Sequence, residues 1–187
     1  MKKFELTNEF ITNMFGTKLF RIRALVEFGD VEAGELGGYV EKESNLGHDD
    51  NAWVYDNAWV YGDAQVSGDA LVYDNAWVYD NAWVYGNAQV SGDARVCGDA
   101  RVCGNGDYAY AHGFGSVNRT TTFFRLKDGG VGVRCGCFYG TLAQFRDKIR
   151  ETHGETKKAQ EYLMLADLME LRFEEDENEV GNRKYVE

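Results

Sequence analysis

The side chains with chemistry to offer fall into three groups. The first is aromatic and cationic: Trp53, Trp59, Trp77 and Trp83, with Tyr61 and Tyr79 among them and Arg95 and Arg101 following. Indole and phenol rings beside a guanidinium suit a flat partner, either a protein face or a planar ligand, through stacking and cation–π attraction. The plainer reading is that aromatic pairs merely support a strand ladder. The second group is the polar run Ser116-Val117-Asn118-Arg119-Thr120-Thr121-Thr122, with Arg125 close behind. Asn118, Arg119, Thr120 and Arg125 carry the donors an anion or small ligand would need, although the same run also suits an ordinary hairpin edge with its threonines exposed. The third group is Cys135-Gly136-Cys137 with His153. Zinc takes four Cys or His ligands, and no second close pair accompanies this one, so buried cap thiols are expected and no metal. Asp and Asn recur along the chain, but without the G-G-x-G-x-D spacing of calcium-binding repeats. Turn geometry explains them. No cofactor is expected.

The aromatic group is placed by a six-residue repeat that fills residues 51–105. Ala stands at 52, 58, 64, 70, 76, 82, 88, 94 and 100, and Val follows two positions later each time. Two residues apart on an extended strand means one face, so Ala and Val point inward and the residue between them points out. Each unit closes on Gly, Asp or Asn, which tolerate the left-handed backbone of a corner. Very short strands joined by identical corners wind into a parallel β-helix. Three units make a triangular coil of about eighteen residues, so the nine units give about three regular coils. Residues eighteen apart then stack: Trp53 over Leu71 and Gln89, Trp59 over Trp77 and Arg95, Gln65 over Trp83 and Arg101. Stacked rings should lie about 4.8 Å apart, the strand spacing. The near-copy of residues 51–70 at 75–94 has a spacing of twenty-four, which a prism with interchangeable faces permits.

An interior of Ala and Val alone is thin, and both ends of such a prism expose unpaired strand edges. The flanking segments therefore read as caps. Residues 1–50 form an N-terminal β cap. Residues 18–26 alternate as a strand, residues 4–6 are placed to pair with it, and Val40 and Leu46 begin an irregular first coil. Residues 106–140 hold exit strands and a hairpin that turns at Asp128-Gly129-Gly130. Residues 141–187 hold two helices and an acidic tail. The first helix opens with Thr141 and Gln144 in capping-box spacing and stops at Gly154. The second covers about residues 156–173, and residues 174–179 read as a solvated tail.

Composition narrows the function classes. The formal net charge of −11 argues against nonspecific nucleic-acid or membrane-surface binding, both of which need basic patches. No apolar run could span a bilayer, and the N-terminus lacks a signal-peptide pattern. Cys97 and Cys103 occupy corners of different faces, and Cys135 and Cys137 are too close to bridge easily. Reduced thiols in a cytoplasm are the default.

The Gly-Asp-Ala-Arg-Val units resemble left-handed β-helix hexapeptide-repeat proteins, and the left hand is implied by that resemblance, since the crossover rule favours the right. Arg21-Ile22-Arg23-Ala24-Leu25, Gly37-Gly38-Tyr39-Val40-Glu41, the repeats, Cys135-Gly136-Cys137-Phe138 and Gly140-Thr141 with the two helices together resemble phage and prophage proteins of unassigned role. The likeness implies an origin, a bacterial host cytoplasm, and no activity. Hexapeptide-repeat acyltransferases use a base, usually His, at a cleft beside the prism. Here the repeats contain no His, and His48, His112 and His153 all lie outside them.

The preferred expectation is a non-catalytic binding or scaffold protein that self-associates or binds a host protein through its aromatic face, toward the N-terminal coils. One alternative is a phage-encoded inhibitor of bacterial immunity that binds a defence protein, a nucleic-acid groove or a small signalling nucleotide. An acyltransferase is the third.

Overall fold

The computed structural model describes residues 1–115 and 117–174. An N-terminal hairpin, β1 (Phe4–Thr12) and β2 (Lys18–Ala24), is followed by β3 (Leu36–Val40). Nine two-residue strands come next: β4 (Trp53–Val54), β5 (Trp59–Val60), β6 (Gln65–Val66), β7 (Leu71–Val72), β8 (Trp77–Val78), β9 (Trp83–Val84), β10 (Gln89–Val90), β11 (Arg95–Val96) and β12 (Arg101–Val102). Then come β13 (Tyr108–Phe114), β14 (Arg119–Arg125), β15 (Val131–Cys135), β16 (Phe138–Thr141), α1 (Leu142–His153) and α2 (Lys157–Phe173).

The repeats wind into a β-solenoid. Parallel pairing joins β4–β7–β10, β5–β8–β11 and β6–β9–β12. The expected eighteen-residue stacks are present on all three faces: Trp53, Leu71 and Gln89; Trp59, Trp77 and Arg95; Gln65, Trp83 and Arg101. The N-terminal segment adds a further rung on two faces, because Tyr39 and Val40 pair with Trp59 and Val60, and Leu46 bridges to Val66. The solenoid therefore has about four turns. Every Ala and Val of the repeat is fully buried. The corners hold left-handed backbone, at φ 59° for Asp74 and Asp80 and φ 65° for Gly92. Asp74 also accepts a hydrogen bond from the Gly92 N–H one coil on, at 2.9 Å.

A parallel ladder leaves carbonyls free at its first rung and N–H groups free at its last, and each must find a partner if buried. Side chains from the caps supply them. At the start, Lys3 Nζ donates to the Ala52 carbonyl at 2.8 Å and Asn45 Nδ2 to the Ala64 carbonyl at 2.8 Å. Both residues are buried. At the far end the chemistry inverts: Asn105 Oδ1 accepts from Gln89 N–H at 2.8 Å, Thr122 Oγ1 from Arg95 N–H at 2.9 Å, and Asp107 Oδ2 from Cys103 N–H at 3.0 Å. Donors close the carbonyl edge and acceptors close the amide edge.

Apolar plugs complete both ends. Phe4, Ile22, Val31 and Leu46 join the Ala/Val core at the entry. At the exit the sheet β13-β14-β15-β16 separates two cores. Phe124 packs into the solenoid core, whereas Phe123 and Val133 pack with Phe145, Ile149 and Tyr162 of the helices. Thr121 and Thr122 are consequently buried rather than exposed on a hairpin edge, because the sheet is covered on both sides. The Thr141–Gln144 capping box and the Gly154 stop of α1 are present. Glu174 is exposed, and the rest of the acidic tail lies outside the described residues.

Candidate functional site

The outward residues of the Trp59 face form one continuous stack. The Trp59 and Trp77 rings lie 4.4 Å apart with planes 8° from parallel, and the Arg95 guanidinium sits 4.3 Å from the Trp77 centroid. On the adjoining corner Tyr61 stacks on Tyr79 at 5.0 Å. On the next face Arg101 lies 4.4 Å above Trp83. Its Nη1 is held by the Ala100 and Asn81 carbonyls at 2.8 and 3.0 Å. The rung spacing of the ladder brings these rings into contact, so the stacks follow directly from the repeat.

Exposure sorts the expected aromatic surface. Trp83 is 43% exposed, and Trp59, Trp77, Tyr61, Arg95 and Arg101 are partly buried. Trp53 departs from expectation: it is fully buried, with Phe28 and Phe4 at 5.3 and 6.3 Å edge-on. Its side chain does leave the Ala/Val interior, but the N-terminal cap closes over that face and turns it into core. The accessible aromatic surface therefore lies on the middle coils and not toward the N-terminal ones. Tyr79 is also buried, beneath Arg134 of β15 at 5.9 Å. Burial pushes the Tyr61 phenol up to about 12 and raises Tyr79 as well. The neighbouring Cys97 thiol is pushed up to about 11, again chiefly by burial. All four cysteines are free thiols; Cys135 is half-buried and Cys137 exposed, so the pair expected as buried cap thiols stands at the edge of the exit sheet, in and beside the turn between β15 and β16.

The polar run after β13 divides. Asn118, Arg119 and Thr120 line a groove of about 470 Å3 together with Trp77 and Arg95. The tertiary structure thus joins two groups that are unrelated in sequence. Arg125 does not take part: its Nη1 donates to the Gly129 carbonyl at 3.2 Å and its guanidinium lies 5.3 Å from the Phe173 ring. Strand β14 explains the separation, since Arg119 and Arg125 sit at its opposite ends. Asn75, Asp93 and His112 also line the groove. Asn75 and Asp93 are eighteen apart, two residues before Trp77 and Arg95, so the repeat register places them together, whereas His112 comes from β13 and carries no periodic signal. Thr120 Oγ1 is 2.8 Å from His112 Nδ1, and Asp93 is 3.9 Å from the same nitrogen.

The other two histidines are engaged in the caps. His48 Nδ1 accepts from the Lys3 N–H at 3.2 Å and its ring stacks on Phe4, while His153 stacks on Tyr162. Among the described residues no group of three or more His, Cys, Asp and Glu is placed to hold a metal ion. No helix among them is long and apolar enough to cross a membrane.

Fold and surface define a β-solenoid protein with capped ends and outward aromatic–arginine ladders. Residues 64–80, 76–92 and 88–104 match the YdcK beta solenoid repeat family, a likeness confined to the repeats. No curated protein matches the chain.

Proposed function

We propose that the protein is a non-catalytic β-solenoid binding or scaffold protein that self-associates, or binds a host protein, through the indole–guanidinium ladders of its middle coils. One observation carries this reading. Gln65 shares a ladder with Trp83, and Gln89 shares one with Trp53 and Leu71, with the same backbone pairing. A rung therefore forms without an aromatic, and the fold does not demand Trp at 59, 77 or 83. Surface indoles with adjacent Arg are the residue types that dominate protein contacts. The reading keeps the kinship with left-handed hexapeptide-repeat proteins and the phage or prophage origin suggested by the caps.

The test uses substitutions the repeat already contains. Light scattering and native mass spectrometry of the wild type should show an oligomer, or a pull-down from host lysate should retain a specific protein. The combined change Trp59→Gln, Trp77→Gln, Trp83→Gln should abolish the association while the far-ultraviolet circular dichroism stays unchanged. A wild-type monomer with no retained protein, or an association untouched by the three changes, overturns the proposal.

A further inference from the structure

The groove beside Arg95 has features that a protein-contact ladder does not require. Arginines elsewhere in this acidic chain are mostly held by oxygen atoms. Arg23 pairs with Glu5, Arg146 with Asp167 and Glu170 at 2.8 and 2.7 Å, and Arg150 with Asp147 at 3.3 Å. Arg101, Arg125 and Arg172 donate to backbone carbonyls. Arg95 and Arg119 line one groove, and neither guanidinium has a carboxylate or carbonyl partner among the described residues. Two guanidinium groups against the single carboxylate of Asp93 give the groove a positive balance, opposite to the net charge of −11.

Arg119 reaches the groove from the start of β14 and lies beside the turn between β15 and β16. Gly136, in that turn, holds φ 59°, and a Cβ there would overlap Arg119 Nη1. The guanidinium of Arg119, an exposed residue, lies against the Gly136 backbone. The second cation, the Arg95 guanidinium, rests on Trp77, and the backbone N–H of the same residue is tied to Thr122 Oγ1 at 2.9 Å. His112 and Thr120, 2.8 Å apart, add polar hydrogen-bonding groups on the same wall. The volume of about 470 Å3 falls in the range of small-molecule sites, roughly 300–1,000 Å3.

We infer that this groove binds a phosphate monoester, with the phosphate held by Arg119 and Arg95 and the organic portion against Val117 and the edge of Trp77, whose two ring faces are covered by Trp59 and Arg95. Guanidinium forks match phosphate oxygens in charge and geometry. A phosphate monoester carries three free oxygens and close to two charges at neutral pH. That many acceptors match the two arginines and the flanking hydroxyl and imidazole better than the two oxygens of a carboxylate do. Asp93, whose Oδ1 accepts from Asn75 Nδ2 at 3.4 Å, is an acceptor for a hydroxyl on the organic portion. It would also disfavour a second anionic group there.

The inference names a ligand for part of the surface proposed above and rests on that surface being a binding face, but the two are tested apart. Isothermal titration with adenosine monophosphate, inorganic phosphate and adenosine separates phosphate recognition from recognition of the base. Saturable binding of adenosine monophosphate, competition by inorganic phosphate, and at least tenfold weaker binding of adenosine are expected. Arg119→Ala should weaken adenosine monophosphate binding at least tenfold, and Arg119→Lys should recover part of the loss, with circular dichroism and oligomeric state unchanged in both. No binding of adenosine monophosphate or phosphate at millimolar concentration, equal binding of adenosine, or wild-type affinity in Arg119→Ala overturns the inference. Because Arg119 lies outside the Trp59, Trp77 and Trp83 set, such a result leaves the association measurement standing on its own.

Discussion

Trp59 and Trp77 lie face to face with ring centroids 4.4 Å apart and planes 8° from parallel, and this pairing is set by a backbone register in which each residue occupies the same position of consecutive coils. Trp77 is sandwiched, since Arg95 covers its other side at 4.3 Å. Replacing Trp77 by Gln removes both contacts while keeping a residue the repeat tolerates. A loss of about 1–2 kcal/mol is expected, read by urea unfolding at low protein concentration. A double-mutant cycle between Trp77→Gln and Arg95→Ala should give a coupling of about 0.5–1 kcal/mol. Strict additivity would show that the stack contributes nothing beyond burial.

The two buried and exposed extremes of the tryptophan set should respond differently. Trp53 is wholly enclosed by the N-terminal cap, so Trp53→Ala should cost about 3–5 kcal/mol. Trp83→Gln loses a contact with Arg101 at the surface and should cost about 1 kcal/mol or less. Equal effects in chemical unfolding would mean that the assigned exposures are wrong.

Thr122 closes the amide edge of the Trp59 face by accepting from the Arg95 N–H. Thr122→Val keeps the shape and leaves that partly buried donor unpaired, for an expected loss of about 1–3 kcal/mol. Thr122→Ser keeps the oxygen and should restore most of it. Hydrogen exchange at the Arg95 amide should rise in the Val variant and stay low in the Ser variant.

Lys3 yields a pH signature. Burial is the main cause that lowers its pKa from about 10.5 to about 8, against the raising effect of Asp50 and Asp49. A folded value below the unfolded one means that between pH 8 and 10.5 the unfolded chain binds more protons. Stability then rises with pH across that window. The Cys97 thiol, raised to about 11 from about 9, acts in the opposite sense above pH 9, and it does so equally in a Lys3→Met variant. The difference in unfolding free energy, wild type minus Lys3→Met, should therefore increase from pH 8 toward 10.5 and be flat below pH 7. A flat difference throughout would show that the Lys3 ammonium is not desolvated.

Much of this architecture is legible in the residues alone. The six-residue recurrence of Ala and Val, with Gly, Asp and Asn at the corners, dictates short strands, an aliphatic interior and vertical stacks of residues eighteen apart. Those are consequences of local geometry repeated without interruption, so the registers Trp59–Trp77–Arg95 and Gln65–Trp83–Arg101 could be written down in advance. The need for caps was equally plain, because open ladder edges and a thin core cannot be left to water. The capping-box start and glycine stop of α1 are local too, and follow from Thr141, Gln144 and Gly154.

Only the tertiary structure decided which outward residues stay outward and which distant segments meet. Trp53 obeys the same period as Trp83, yet the cap covers one and not the other, and period says nothing about coverage. Of the polar groups that close the ladder ends, Asn105 continues the six-residue recurrence of Asn and Asp, whereas Lys3, Asn45, Asp107 and Thr122 are each fixed by where a cap segment crosses the prism. The groove has the same origin: Arg95 belongs to the repeat, Arg119 to β14 and Gly136 to the turn after β15. Their juxtaposition depends on the exit sheet folding back across the end of the solenoid, a long-range event that no short stretch of residues encodes.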